Sequence, residues 1–151
     1  MKSMRIIVAT AFICLAVAAC EEKEGENESV ISSKNSSESH HMGENCMNCH
    51  KSGGSGEGWF KLAGTAYNEA KTSVYPNSVV KLYTQPNGQG TLKYTINGDA
   101  KGNFYTTENI DFGNGLYVSV EGTTVSFMVT PISSGQCNSC HGSSTAKIWT
   151  K

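Results

Sequence analysis

Four of the six cysteines and two of the four histidines in this chain fall into one repeated pattern, Cys46-Met47-Asn48-Cys49-His50 and Cys137-Asn138-Ser139-Cys140-His141. Cys-x-x-Cys-His is the attachment signature of c-type haem: two thiols add across the vinyl groups of the porphyrin, and the next residue turns its imidazole to the iron. The spacing follows from the chemistry. Two intervening residues on one helical turn bring both sulfurs to one porphyrin edge, and the residue that follows reaches the iron from the same face. Two complete copies predict two covalent haem c groups, with Cys46, Cys49, Cys137 and Cys140 as attachment points and His50 and His141 as axial ligands.

The same cysteines admit other chemistry. Two Cys-x-x-Cys pairs are also the ligand set of a tetrahedral zinc site, which would make this a zinc-stapled structural lipoprotein. Two disulfides are a further alternative in an oxidising compartment. Neither accounts for a histidine directly after the second cysteine in both copies.

A carrier haem takes a sixth ligand, commonly His or Met. The other two histidines, His40 and His41, would complete two bis-histidine irons, with His41 preferred. Met42, Met47 and Met128 are the thioether candidates, and an open sixth position is the remaining possibility.

The elements that must position these groups follow from the rest of the chain. Lys2 and Arg5 precede the uncharged run from Ile6 to Ala19, the length of a signal-peptide core and short for a membrane span. The run ends in Val17-Ala18-Ala19-Cys20, which resembles a bacterial lipobox; that resemblance implies cleavage before Cys20 and lipidation of its thiol, with Cys14 discarded in the leader. Covalent haem attachment in bacteria takes place outside the cytoplasmic membrane, so export and haem agree. The expected location is the periplasm or the outer membrane and cell surface.

Residues 20–45 read as a lipid-anchored disordered tether, rich in Glu, Ser and Asn with only Val30, Ile31 and Met42 as sizeable apolar side chains. Seven acidic residues and two lysines lie between Glu21 and Asn45, whereas eight lysines face six acids from Cys46 onward. The negative charge belongs to the leader segment, and the near-zero total gives no argument for nucleic acid.

Residues 46–58 form the first haem-binding segment, closed by the glycine-rich stretch Gly53 to Gly58, which lacks phosphate-cradle chemistry. From Trp59 the pattern changes to short runs rich in Val, Tyr, Phe and Thr, at 59–67, 78–84, 92–96, 103–107, 116–121 and 124–130. Turn signals such as Pro86-Asn87-Gly88, Asn97-Gly98-Asp99 and Asn114-Gly115 separate them, and no sustained helical period occurs. These features predict a mainly β chain, a small antiparallel β-sandwich over 59–131, with residues 132–151 as the second haem-binding segment. Trp59, Tyr83, Tyr94, Phe104, Tyr117 and Phe127 are the expected core or cross-strand aromatics. Asp99, Glu108, Asp111 and Glu121 adjoin turns, there is no nucleophile motif and no histidine lies between 51 and 140, so no enzymatic activity and no small-molecule substrate are expected.

Leu62-Ala63-Gly64-Thr65-Ala66-Tyr67, Ser78-Val79-Val80-Lys81-Leu82-Tyr83, Asp99-Ala100-Lys101-Gly102-Asn103-Phe104 and Gly115-Leu116-Tyr117-Val118-Ser119-Val120 resemble the carboxypeptidase regulatory-like domain, a transthyretin-type β-sandwich. The likeness spans about half of the chain and implies a stable module without catalytic residues. As a whole the chain resembles small multihaem cytochromes in which a β-sandwich separates two haem segments. The expected function is extracytoplasmic electron transfer with other redox proteins, the membrane being reached through the lipid; a haem-bearing sensor or binding module is the alternative. Because both motifs lie close in sequence to the sandwich's ends, they are expected to pack side by side, with the His40-His41 end crossing to the iron of the neighbouring haem.

Overall fold

A computed structural model describes residues 27–151; the leader, Cys14 and the proposed lipidation site Cys20 lie outside the described residues. The chain is mainly β. Eight strands follow in order: β1 (Leu62–Tyr67), β2 (Val79–Tyr83), β3 (Leu92–Asn97), β4 (Asn103–Thr106), β5 (Tyr117–Glu121), β6 (Val125–Phe127), β7 (Gly135–Gln136) and β8 (Ile148–Trp149). A 3-10 turn covers Cys46–Asn48, and a single-turn helix, α1, covers Cys137–Cys140. Among the described residues no helix is long and apolar enough to cross a membrane.

The strands form two facing sheets. One runs β3-β2-β5-β6 and is antiparallel throughout. The other is built around β1, which pairs antiparallel with β4 on one side and parallel with the short β7 and β8 on the other. Alternation drives the packing, since successive side chains of a strand point to opposite faces. In β2, Val80 and Leu82 are buried while Val79, Lys81 and Tyr83 are half-buried. They meet Leu62, Ala66, Ile96, Phe104, Ile110, Leu116 and Val120 in one core between the sheets.

All six residues of β1 are buried, so the strand is covered on both faces. Its outer face, with Phe60 and Tyr105, packs against Val30, Cys46 and Met47 in a second apolar cluster. That cover corrects the expectation of a free tether. Over residues 27–45 the chain lies along β4: Ile31 bridges Thr106, the Ser32 amide donates to the Tyr105 carbonyl at 3.0 Å, and the Tyr105 amide donates to the Ser32 hydroxyl at 2.8 Å. The physical reason is the free edge of β4. Its backbone groups need partners, and the Ser and Asn side chains that made this stretch look solvated supply them.

The boundary expected at 131 also shifts. β7 and β8 lie beyond it, yet both pair with β1, so residues 132–151, expected as a separate segment, contribute two strands to the sheet. β6 ends at Phe127, short of the expected 130. Of the expected core aromatics Phe104 is fully buried, Tyr94 packs against the core, and Phe127 is exposed.

Candidate functional site

Each Cys-x-x-Cys-His motif is a single tight turn. In the first, Asn45 caps the 3-10 turn by accepting from the Met47 amide, and the His50 amide donates to the Cys46 carbonyl at 3.0 Å. In the second, α1 holds the two cysteines, and the His141 amide donates to the Cys137 carbonyl at 3.0 Å. The inward half of each motif is its first cysteine. Cys46 and Cys137 pack against the two apolar clusters, while Cys49 and Cys140 are exposed. Burial pushes the Cys46 thiol up, and pushes that of Cys137 up to about 12. All four are free thiols, so no disulfide joins them.

The two histidines are oriented in the same way. His50 Nδ1 lies 2.7 Å from the Glu57 carbonyl oxygen, and His141 Nδ1 lies 2.7 Å from the Ala146 carbonyl oxygen. A carbonyl only accepts, so in each ring Nδ1 is the donor, and in the neutral imidazole Nε2 then keeps its lone pair. This is the tautomer a metal-ligating histidine needs, and a backbone carbonyl is the usual outer partner that fixes it. The loop after each motif supplies that carbonyl. In the first, Gly56 makes room: a Cβ there would stand 2.7 to 2.8 Å from the His50 ring. Phe60 then stacks on His50 with centroids 4.2 Å apart, and Tyr105 stacks on Phe60 at 4.9 Å.

Each motif opens onto its own cavity. The first, of about 350 Å³, is lined by Cys46, Cys49 and His50 together with Val30, Ser39, His40, His41, Glu44, Phe60, Asn103 and Tyr105. The second, of about 520 Å³, is lined by Cys137, Cys140 and His141, with Val80, Phe104, Val118, Val120, Met128, Ile132, Ile148 and Trp149 among its apolar walls. Both volumes fall within the roughly 300 to 1,000 Å³ typical of small-molecule and cofactor pockets. The cavities share no lining residue, and Phe104 and Tyr105, consecutive in β4, face one each.

The thiols therefore separate two and two. Among the described residues no three His, Cys, Asp or Glu side chains gather as a metal-binding group, and a single site made of all four cysteines has no support in this arrangement. Two thiols, one imidazole with a free Nε2 and apolar walls at each cavity fit a covalently held haem.

The backbone path overturns the expected crossing of His40 and His41. Both line the cavity of His50, and the rings of His40 and His50 are 5.8 Å apart with planes inclined by 32°. Both rings are exposed; His41 Nδ1 is 3.2 Å from Glu44 Oε1, and the His40 ring is 5.0 Å from that of His41.

A buried polar network fixes that placement, and nothing in the sequence pattern marks it. The Thr65 hydroxyl donates to Asn103 Oδ1 at 2.6 Å and accepts from the Gly43 amide. Asn103 Nδ2 donates to the His40 carbonyl and the Ser39 hydroxyl, each at 3.0 Å. From the other side Asn138, within the second motif, donates to Thr65 Oγ1 and to the Glu44 carbonyl and accepts from the Thr65 amide. The second motif is thus tied to the chain entering the first, a link made also by Asn45 and Gln136 at 3.4 Å. Gly64 permits the contact, since a Cβ there would stand 2.9 Å from that of Cys137.

Three of the four carboxylates singled out in the sandwich serve backbone geometry or ion pairing. Asp99 Oδ1 accepts from the Lys101 and Asn103 amides, Asp111 Oδ1 from Gly113, and Glu121 pairs with Lys81 at 2.8 Å. Comparison with protein-family models, with curated proteins and with solved structures finds no match for this chain.

Proposed function

We propose that this chain is a lipid-anchored dihaem c-type cytochrome that carries electrons outside the cytoplasm. The observation that supports it best is the repeated histidine geometry: both His50 and His141 give Nδ1–H to a backbone carbonyl at 2.7 Å and keep Nε2 free beside their own pair of cysteines. When bound, each haem supplies a one-electron ferric–ferrous couple whose potential the protein tunes.

The chain's own residues would do the rest. Cys46 and Cys49 would hold one group and Cys137 and Cys140 the other through thioethers, with His50 and His141 as iron ligands and His40 as a further donor beside His50. Phe60 and Tyr105 wall the first cavity, and Val80, Phe104 and Trp149 the second, keeping water from the metal. Cys20 would carry the lipid, and other redox proteins are the partners. The sandwich, with its likeness to the carboxypeptidase regulatory-like domain, acts as the frame on which both motifs are mounted.

One observation favours the sensor reading: the second cavity contains a single histidine, as an iron with an open position would require. Carbon monoxide added to the reduced protein separates the two. A carrier with both irons six-coordinate leaves the spectrum unchanged, and ready binding at one haem marks a sensor.

A further inference from the structure

We infer that the two irons are ligated differently, the first by two histidines and the second by His141 and the thioether of Met128. This rests on the dihaem reading and deepens it. The inference comes from how the donors are divided. Among the described residues there are four histidines, and three of them, His40, His41 and His50, line the first cavity. The second has His141 alone. A sixth ligand there must be another kind of donor.

The three methionines of the described residues are not equivalent. Met42 is exposed and lines neither cavity. Met47 packs beneath the first motif against Phe60, Ala63 and Tyr105, and it also lines neither cavity. Met128 is half-buried and lines the second cavity together with Cys137, Cys140 and His141. Its backbone is held in place, because its amide continues the β5–β6 ladder by donating to the Val118 carbonyl at 2.8 Å. A thioether is a soft, unbranched and adaptable donor, suited to reaching a metal from a strand end.

The competing nitrogen donor in that cavity is Lys147. Its ammonium is engaged elsewhere, 4.1 Å over the Tyr67 ring and 3.4 Å from the Lys71 carbonyl oxygen. Met128 is the remaining ligand. A Met/His pair raises the potential of a haem relative to a bis-histidine one, so the second haem is the one that fills first on reduction.

The test uses the mature two-haem protein and the variants Met128→Leu, Met47→Leu and Met42→Leu, with haem content checked by intact mass. The unaltered protein should show the sulfur-to-iron charge-transfer band of the ferric state and, in the reduced state, one ligated methionine methyl shifted far upfield in the proton spectrum. Redox titration should resolve two steps. Met128→Leu should abolish both signals, lower the upper step and open one haem to carbon monoxide, while the other two variants change none of these. Absence of both methionine signals from the unaltered two-haem protein, or their survival in Met128→Leu, overturns the assignment. Because the first of these needs no variant, the test stands even if Met128→Leu fails to fold. An intact mass with fewer than two haems defeats the dihaem reading itself, and this assignment with it.

Discussion

The side-chain amide of Asn138, inside the second motif, donates a hydrogen bond of 2.9 Å to the carbonyl of Glu44, two residues ahead of the first motif. The same side chain accepts from the Thr65 amide and donates to the Thr65 hydroxyl. One residue therefore binds α1 to the central strand and to the chain entering the other motif. Its position between two cysteines is doubly used: the cysteines face a cavity, and the residue between them faces the sheet.

Removing that side chain leaves the buried Thr65 amide without its partner, at a cost of about 1–3 kcal/mol. Asn138→Ala should accordingly lower stability by that amount in denaturant unfolding, with both attachment motifs intact and haem content unchanged. A change within ~0.5 kcal/mol, the range of an ordinary surface substitution, would show that the network does not tie the motifs together.

Gly56 tests how His50 is held. Its Cβ would enter the space of the imidazole, and overpacking of this kind costs about 1–3 kcal/mol. In Gly56→Ala the ring must move, taking Nδ1 off the Glu57 carbonyl. The expected result is a high-spin component from one haem only, read in the ferric spectrum. Two unaltered low-spin haems would contradict the assignment of Glu57 as the orienting partner.

The inward and outward cysteines should differ in the haem-free protein. Exposed Cys49 and Cys140 should react first with an alkylating reagent, and half-buried Cys46 and Cys137 last, as followed by peptide mass. The pH dependence has a definite sign. Burial raises the folded-state value of Cys137 from 9.0 to about 12, so its contribution to stability is complete below about pH 9 and is lost as pH rises toward 12. Cys137→Ala should flatten that part of the stability curve; an unchanged slope would mean that Cys137 ionises as readily folded as unfolded.

Much of the fold was legible because its signals are local. The β2 run, Val79 to Tyr83, alternates and is closed by turn residues, and the strand appears where the pattern places it. Both motifs are contiguous, so their cysteines and histidines could be named from spacing alone. What stayed hidden is non-local or too short to carry a period. β7 and β8 have two residues each. The stretch 27–45 is polar because it bonds to an edge strand, which composition cannot distinguish from bonding to water. Which ring lies beside His50 depends on the path of that stretch past β4, and Asn103, which holds the His40 carbonyl, reads in sequence only as a residue after a turn.

Two separate sites, each holding a covalent haem, are distinguished from every alternative by the intact mass of the mature protein after denaturation. The expected mass equals the processed chain, its lipid and two haems, falling by one haem in Cys46→Ala/Cys49→Ala and by one in Cys137→Ala/Cys140→Ala. A mature protein carrying one haem or none, with its thiols free, disulfide-bonded or bound to zinc, would contradict it.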